Sequence, residues 1–302
     1  MEKNLRDTIK NITKDHLKKY KSFVFGQNLT GVGWVDNTLP KLYEKDGIIE
    51  LPMADIADGG IVTGAGLMNK KPFYIIRYQG YNWLNMIFIV NYACKAYAIW
   101  KKPCPIFIRG IASEGCIGPV AGASHLSIFY KMPGIKIFSP MTSSEYKKVY
   151  KSFSKSKDVY YVSEHRESYN HSLELKNYTP KNPDIIWMPI SVTRFEVEKV
   201  LKYFKGKKIK IGVMHLVNIK PFKFTKKEIA YLKSVKKKVL ITDNDYEDGL
   251  ISILSHKISK VSNKFVELLG LKNRTAGHHP KVDNLPPKSK DIISKILEII
   301  RS

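Results

Sequence analysis

Unbroken apolar runs of strand length alternate along this chain with longer segments whose apolar residues recur at helical spacing. "KPFYIIRY" (71–78), "CPIFIRG" (104–110), "GIKIFSP" (134–140) and "DVYYVSE" (158–164) are hydrophobic on successive residues and are bounded by Pro, Gly, Ser or Asp. Strands that are apolar on both faces belong in a parallel sheet covered by helices on each side. "SFVFGQN" (22–28) predicts an earlier strand, with a loop over "LTGVGWVDN". "NWLNMIFIVNYACKAYAIW" (82–100) predicts one long, largely buried helix, and "SSEYKKVYKSFSKS" (143–156) predicts a helix with a Ser cap and Glu145 in its first turn. A Gly-rich loop is expected from Ala112 to Ala123.

The alternation pauses at residues 171–184, a polar, Pro- and Asn-rich stretch that reads as a linker. It then restarts with strands in "KKIKIGVMHL", "KKVLITDND" and "KFVELLGL", and with helices in "TKKEIAYLKSV", "GLISILSHKIS" and "SKDIISKILEIIRS". The expected fold is therefore α/β in two domains, residues 1–170 and 185–302. Each is a mostly parallel sheet covered by helices.

Composition narrows the class. At 302 residues with 43% hydrophobic content, the chain can bury two ordinary cores. No apolar run approaches membrane-spanning length, and the basic amphipathic start lacks a signal-peptide core. The cysteines Cys94, Cys104 and Cys116 form no CxxC pair, which predicts reduced thiols in a cytoplasmic protein. A net charge of +24 raises nucleic-acid binding, but the lysines are spread evenly and no binding module is present. No nucleic acid and no membrane are expected as partners. A basic surface still favours anionic substrates or an acidic partner subunit.

The densest candidate chemistry lies in "PMADIADGGIVTGAGL" (52–67). Asp55 and Asp58 stand at the start of a small-residue helical pattern, where a carboxylate can cap the first turn or take part in chemistry. The glycines fit neither GxxxxGK[ST] nor GxGxxG, so a phosphate loop is not indicated.

Several motifs occur in a telling order. They are "NLRDTIKNI", "PMADIADGGIVTGAGLMNKKPF", "IVNYACK", "FIRG", "MPGIKIFSP", "VSEHRESY" and, further on, "VLITDNDYEDGLISIL". In this order the chain resembles the β subunits of thiamine-diphosphate-dependent 2-oxo acid dehydrogenases and their relatives the transketolases. The resemblance implies a pyrimidine-binding domain followed by a transketolase C-terminal-like domain. It also implies a carboxylate that hydrogen-bonds N1′ of the cofactor's aminopyrimidine ring, so that the cofactor carries the carbon chemistry. Asp55 lies nine residues before Gly64, which lies eight before Pro72, and this spacing matches the family's activating glutamate. Asp58 then falls at an ordinary helix position. Aspartate is one methylene shorter, so it must sit closer, shift the backbone or act through water.

The resemblance further assigns Tyr81 to the aromatic beside the pyrimidine, with Trp83 as the alternative and Arg77 and Tyr78 as framing residues. The family's loop histidine has no counterpart at Val120 or Ala121, so His125 is the substitute and Glu114 the other titratable group there. Arg166 in "SEHRES" is expected to face an anionic substrate or the partner chain. Cys116 reads as packed. His278 and His279 read as loop residues without metal-ligand spacing. The family also needs a GDG…N segment for Mg²⁺ and diphosphate, and GDG does not occur here. The resemblance therefore implies a separate α-type subunit that holds Mg²⁺, in an α2β2 assembly with dimer contacts from the C-terminal domain. The implied activity is cleavage or transfer of a carbon unit next to the carbonyl of a small-molecule 2-oxo acid or ketose. The alternatives are the C-terminal subunit of a split transketolase and a non-catalytic structural or regulatory relative.

Overall fold

The apolar runs become the strands of two sheets in a computed structural model that describes residues 4–115, 118–277 and 281–301. The strands are β1 (Val24–Gly26), β2 (Ile48–Glu50), β3 (Phe73–Ile76), β4 (Ile106–Ala112), β5 (Ile135–Phe138), β6 (Val159–His165), β7 (Ile185–Pro189), β8 (Ile211–Val213), β9 (Asn218–Lys220), β10 (Lys238–Tyr246) and β11 (Val266–Leu271). The first sheet runs β2-β1-β3-β4-β6-β5-β9 and the second β11-β10-β7-β8. Every pairing is parallel except that of β5 with β9. Thus β9, which follows the second sheet's β8 in the chain, closes the edge of the first sheet and ties the two halves together.

Eleven described right-handed helices cover the sheets. They are α1 (Leu5–Tyr20), α2 (Asp55–Leu67), α3 (Asn82–Asn85), α4 (Ile87–Asn91), α5 (Ala96–Trp100), α6 (Leu126–Tyr130), α7 (Ser143–Ser154), α8 (Val197–Phe204), α9 (Lys226–Lys233), α10 (Leu250–Ser262) and α11 (Ser289–Arg301). Alternation along the strands sends Phe73, Phe107 and Tyr160 to the α1/α7 face of the first sheet. Their neighbours Tyr74, Ile106, Ile108 and Tyr161 go to the face covered by α2 to α6. On the second sheet Trp187 and Leu240 pack with α8 and α11, where Ile292, Ile296 and Ile299 recur at helical spacing.

Two expectations are corrected. The helix over 143–154 is capped by Thr142, whose side chain accepts from Glu145 N–H; Ser143 is already helical. The long helix over 82–100 is broken into α3, α4, a 3-10 turn at Ala93–Lys95, and α5. The break has a polar cause, because Asn82 and Asn85 turn their amides inward to Tyr161 and Asp55 instead of continuing an apolar face. Much of that segment is also exposed, including Trp83, Ile99 and Trp100.

The loop over 29–37 contains one left-handed turn. Gly33, Trp34, Val35, Asp36 and Asn37 all have φ between 51° and 66°. Each non-glycine residue there costs about 1–2 kcal/mol, so surrounding contacts must hold the turn. Buried Val35 and the Trp34 indole bonded to Leu42 O supply part of that hold. Among the described residues, no helix is long and apolar enough to cross a membrane.

Candidate active site

The C-terminal ends of parallel strands gather functional groups because helix starts and loops converge there. Gln27 follows β1, and Arg77 and Tyr78 follow β3, the strand beside it. Leu51 follows β2, whose far end leads through Pro52 into α2. These segments enclose a pocket of about 160 Å³ whose lining includes Gln27, Leu51, Asp55, Tyr78, Tyr81 and Asn85.

Asp55 is the first residue of α2, and Ala54 at the cap position makes no side-chain cap bond. The Asp55 carboxylate instead turns sideways. Its Oδ1 accepts from Gln27 Nε2 at 3.1 Å and from Asn85 Nδ2 at 2.7 Å. Oδ2 has no hydrogen-bond partner among the described residues. Asn85 is fixed in turn, donating to Tyr81 O at 2.9 Å and accepting from the Tyr74 hydroxyl. Burial, together with the charges of Asp58 and Asp55, pushes the Tyr74 phenol above its ordinary range, which keeps it a donor. Gly59 makes the approach possible, since a Cβ there would lie 2.3 Å from the Asn85 carbonyl oxygen.

Asp58 departs from its expected place as an ordinary helix-start carboxylate. It is fully buried, and its Oδ2 accepts from the same Gln27 Nε2 at 2.6 Å while Oδ1 has no partner. Burial first, and the nearby Asp55 charge after it, raise its pKa against the Gln27 hydrogen bond. The two aspartates thus share one amide on one face of α2, three residues apart.

The other sequence candidates divide by location. Tyr81 lines the pocket, whereas Trp83 is 63% exposed and lies outside its lining. Tyr78, expected only as a frame, has two guanidinium groups near it, those of Arg77 and Arg166 at 5.3 and 5.2 Å from its ring centre. Arg166 Nε is 2.9 Å from Asp36 Oδ2 in the left-handed turn, so this guanidinium is ion-paired within the chain. His125 stands at the N-cap of α6, and its backbone N–H donates to Gln79 Oε1 at 3.0 Å. Its burial lowers the imidazole pKa, and it is not part of the pocket's lining. Glu114 pairs with His165 Nε2 at 2.5 Å. Burial alone would raise the Glu114 pKa, but the His165 charge and hydrogen bond prevail and lower it. Cys94 and Cys104 are buried thiols pushed up to about 12, chiefly by burial, and so stay unreactive. Cys116, His278 and His279 lie outside the described residues.

Sequence reasoning missed Gln27, Asn85 and the buried state of Asp58. The one available signal was a polar Gln directly after an apolar strand, at the end where sites form. It also missed a buried ion pair beneath the site. Arg109 donates twice to Glu164, at 2.7 and 2.8 Å, and both side chains are fully buried. Tyr146 and Tyr169 complete the carboxylate's shell at 2.7 and 2.8 Å.

A family model described as the transketolase pyrimidine-binding domain matches residues 2–172. The 2-oxoisovalerate dehydrogenase subunit beta of Bacillus subtilis is 25% identical over 172 residues, covering 54% of this chain and 52% of that protein. The human mitochondrial pyruvate dehydrogenase E1 component subunit beta is 28% identical over 164 residues, covering 50% and 44%. The chain thus spans about half the length of the curated relatives it matches. Its fold is also that of a solved "Split gene transketolase, inactive beta4 tetramer", with a TM-score of 0.73 at 12% identity over 100% of this chain and 99% of that one. The family match spans more than half of the chain and contains every residue that lines this pocket, so this protein belongs to the transketolase pyrimidine-binding domain family.

Proposed function

We propose that this chain is the β-type, pyrimidine-binding subunit of a two-chain thiamine-diphosphate enzyme that cleaves or transfers a carbon unit beside the carbonyl of a 2-oxo acid. The curated relatives, both named as 2-oxo acid dehydrogenase β subunits, favour a 2-oxo acid over a ketose. One observation carries the reading: a pocket of about 160 Å³ with aromatic and aliphatic walls and one carboxylate oxygen, Asp55 Oδ2, left without a partner. A cavity of about 150 Å³ takes a benzene-sized ring, so this one suits a single six-membered heteroaromatic ring.

When bound, thiamine diphosphate supplies the carbanion-stabilising chemistry. The chain's residues hold and orient its pyrimidine half. Asp55 Oδ2 would share a proton with a ring nitrogen, accepting when the nitrogen carries it and donating when the carboxyl does, while Gln27 and Asn85 hold Oδ1 and Tyr78 and Tyr81 would border the ring. A carboxylate moves a proton at a ring nitrogen only within about 2.6–3.2 Å, so the ring would have to seat closer to α2 than it would for a glutamate. Leu51, Ile76 and the tyrosines exclude water around that proton.

Diphosphate and Mg²⁺ fall to an α-type partner. The support is a set of exposed apolar side chains beside the pocket: Ile56 and Ile61 of α2, Met68 at its C-terminal cap, and Trp83, Ile99 and Trp100 of the α3–α5 segment. Large exposed apolar side chains gathered beside a site favour a protein contact there. His125 and Glu114 belong to a neighbouring loop, where they can serve the substrate rather than the ring. The test is calorimetry of thiamine diphosphate and Mg²⁺ with this chain mixed with an α-type chain carrying a GDG…N segment. Binding is expected for the mixture and its loss on Asp55→Ala; equal binding and C2–H exchange in the mutant would remove Asp55 from this role.

A further inference from the structure

We propose that Asp58 is a positioning residue for Asp55 and acts through Gln27, so that a short carboxylate is held at a fixed place in the ring pocket. This rests on the reading of Asp55 given above and adds residues to it. The Gln27 side-chain nitrogen has two hydrogens and two acceptors, Asp58 Oδ2 at 2.6 Å and Asp55 Oδ1 at 3.1 Å. The shorter bond is to the deeper residue, so Asp58 anchors the amide and Asp55 is aligned by it. Asn85 adds the second donor to the same Oδ1. With Oδ1 held twice, rotation about the side chain is blocked and Oδ2 keeps one direction.

Asp58 gains little for itself. It is fully buried, Gln27 is its one side-chain donor, and its Oδ1 has no partner. A buried carboxyl with an unsatisfied oxygen lowers stability by about 1–3 kcal/mol, so an apolar residue would suit this helix face better for folding alone. The burden is explained by what the carboxyl holds. Acceptance by Oδ2 does not require a negative charge, so the anchor works with Asp58 protonated as well. That is the form favoured by burial and by the neighbouring aspartate.

The experiment compares Asp58→Ala, Asp58→Asn, Gln27→Ala, the double variant Asp58→Ala/Gln27→Ala and Asp55→Ala in the full chain reconstituted with its α-type partner. Thiamine diphosphate affinity with Mg²⁺ is read by calorimetry, and folding by thermal unfolding. Asp58→Ala and Gln27→Ala should each weaken binding about tenfold, a change of about 1.4 kcal/mol. The double variant should be no worse than either single one, because both remove the same link. Asp58→Asn keeps an acceptor for Gln27 and should bind within about twofold of the wild type. If Asp58→Ala fails to fold, Gln27→Ala and Asp58→Asn carry the same comparison. Unchanged affinity in Asp58→Ala and Gln27→Ala beside a loss in Asp55→Ala overturns this proposal and leaves the Asp55 reading standing. Additive losses in the double variant overturn the route through Gln27. Unchanged affinity in Asp55→Ala sinks both readings.

Discussion

Asn85 Nδ2 donates to Asp55 Oδ1 at 2.7 Å, joining two residues thirty positions apart across the start of the ring pocket. The same amide accepts from the buried Tyr74 hydroxyl. Asn85→Ala therefore removes three hydrogen bonds and leaves a buried phenol unpaired. The expected loss is about 1–3 kcal/mol of stability. Thiamine diphosphate affinity should fall in the same variant, measured by denaturant unfolding and calorimetry side by side. A variant as stable as wild type would show that water replaces the amide.

Glu164 should be the most costly single charge to remove. It lies fully buried beside Arg109 and receives four donor contacts, from Arg109 Nε and one of its terminal nitrogens, Tyr146 and Tyr169. Burial and the adjacent carboxylate push both tyrosines well above their usual range, so they remain donors with nowhere else to go. Glu164→Ala strands a guanidinium in the core, and about 3–5 kcal/mol should be lost in urea unfolding. Replacing Arg109 by Met together with Glu164 by Leu should recover much of that loss.

Asp243 links stability to pH between the acidic and neutral ranges. It is fully buried near the end of β10, and burial raises its pKa from 3.8 to about 7. The folded form holds a proton that the unfolded form has released, so this contribution is complete below pH 3.8 and is lost as pH rises through 7. The full effect is on the order of 4 kcal/mol. Asp243→Asn keeps the acceptor used by Asn244 N–H and removes the titration. The mutant should melt above wild type at pH 8 and close to it at pH 4; the same difference at both would exclude this cause.

His215 works in the opposite direction. Burial and then the Arg194 charge lower its pKa from 6.5 to about 3, and its Nδ1 accepts from Arg194 Nε at 3.2 Å. Arg194 also grips Glu145 of the first half at 2.5 and 2.9 Å. Stability from neutral His215 is complete above pH 6.5 and is lost as pH falls toward 3. By pH 4 the loss should reach about 3 kcal/mol. His215→Gln should flatten this part of the stability curve, read as urea midpoints between pH 7 and pH 4.

The exposed apolar side chains beside the pocket predict a separable assembly defect. Ile61 is 47% exposed on α2 and contributes little to the chain's own core. Ile61→Glu should leave the melting temperature within about 2 °C, since surface changes usually lie within about 0.5 kcal/mol. It should abolish co-elution with the α-type partner in size-exclusion chromatography. Normal co-elution would move the contact elsewhere.

Much of the fold was legible because its signals are local. β3, β4, β6 and β10 each contain a short apolar run, and the helix after Thr225 announces itself with Glu228 in a capping box. The expected α/β pattern of parallel sheets holds in both halves. The segment 82–100 failed because its hydrophobicity resembles a buried helix, whereas its outer side lies open in this chain. β9 escaped because three residues pair across the sheets, where no periodicity reveals the partner.

The sequence by itself determined the general alternation of strands and helices, the family motifs and the candidacy of Asp55, since each depends on neighbours within a few residues. Tertiary structure alone decided that Asp55 meets Gln27 and Asn85, that Asp58 is buried beneath the same amide, and that Trp83 stays outside while Tyr78 lines the ring pocket. Hydrogen-bond partners are selected by direction and distance within about 3 Å. Residues 28 and 30 positions away from Asp55 come within that range only after β1 and β3 have paired and α2 has packed on the segment that carries Asn85.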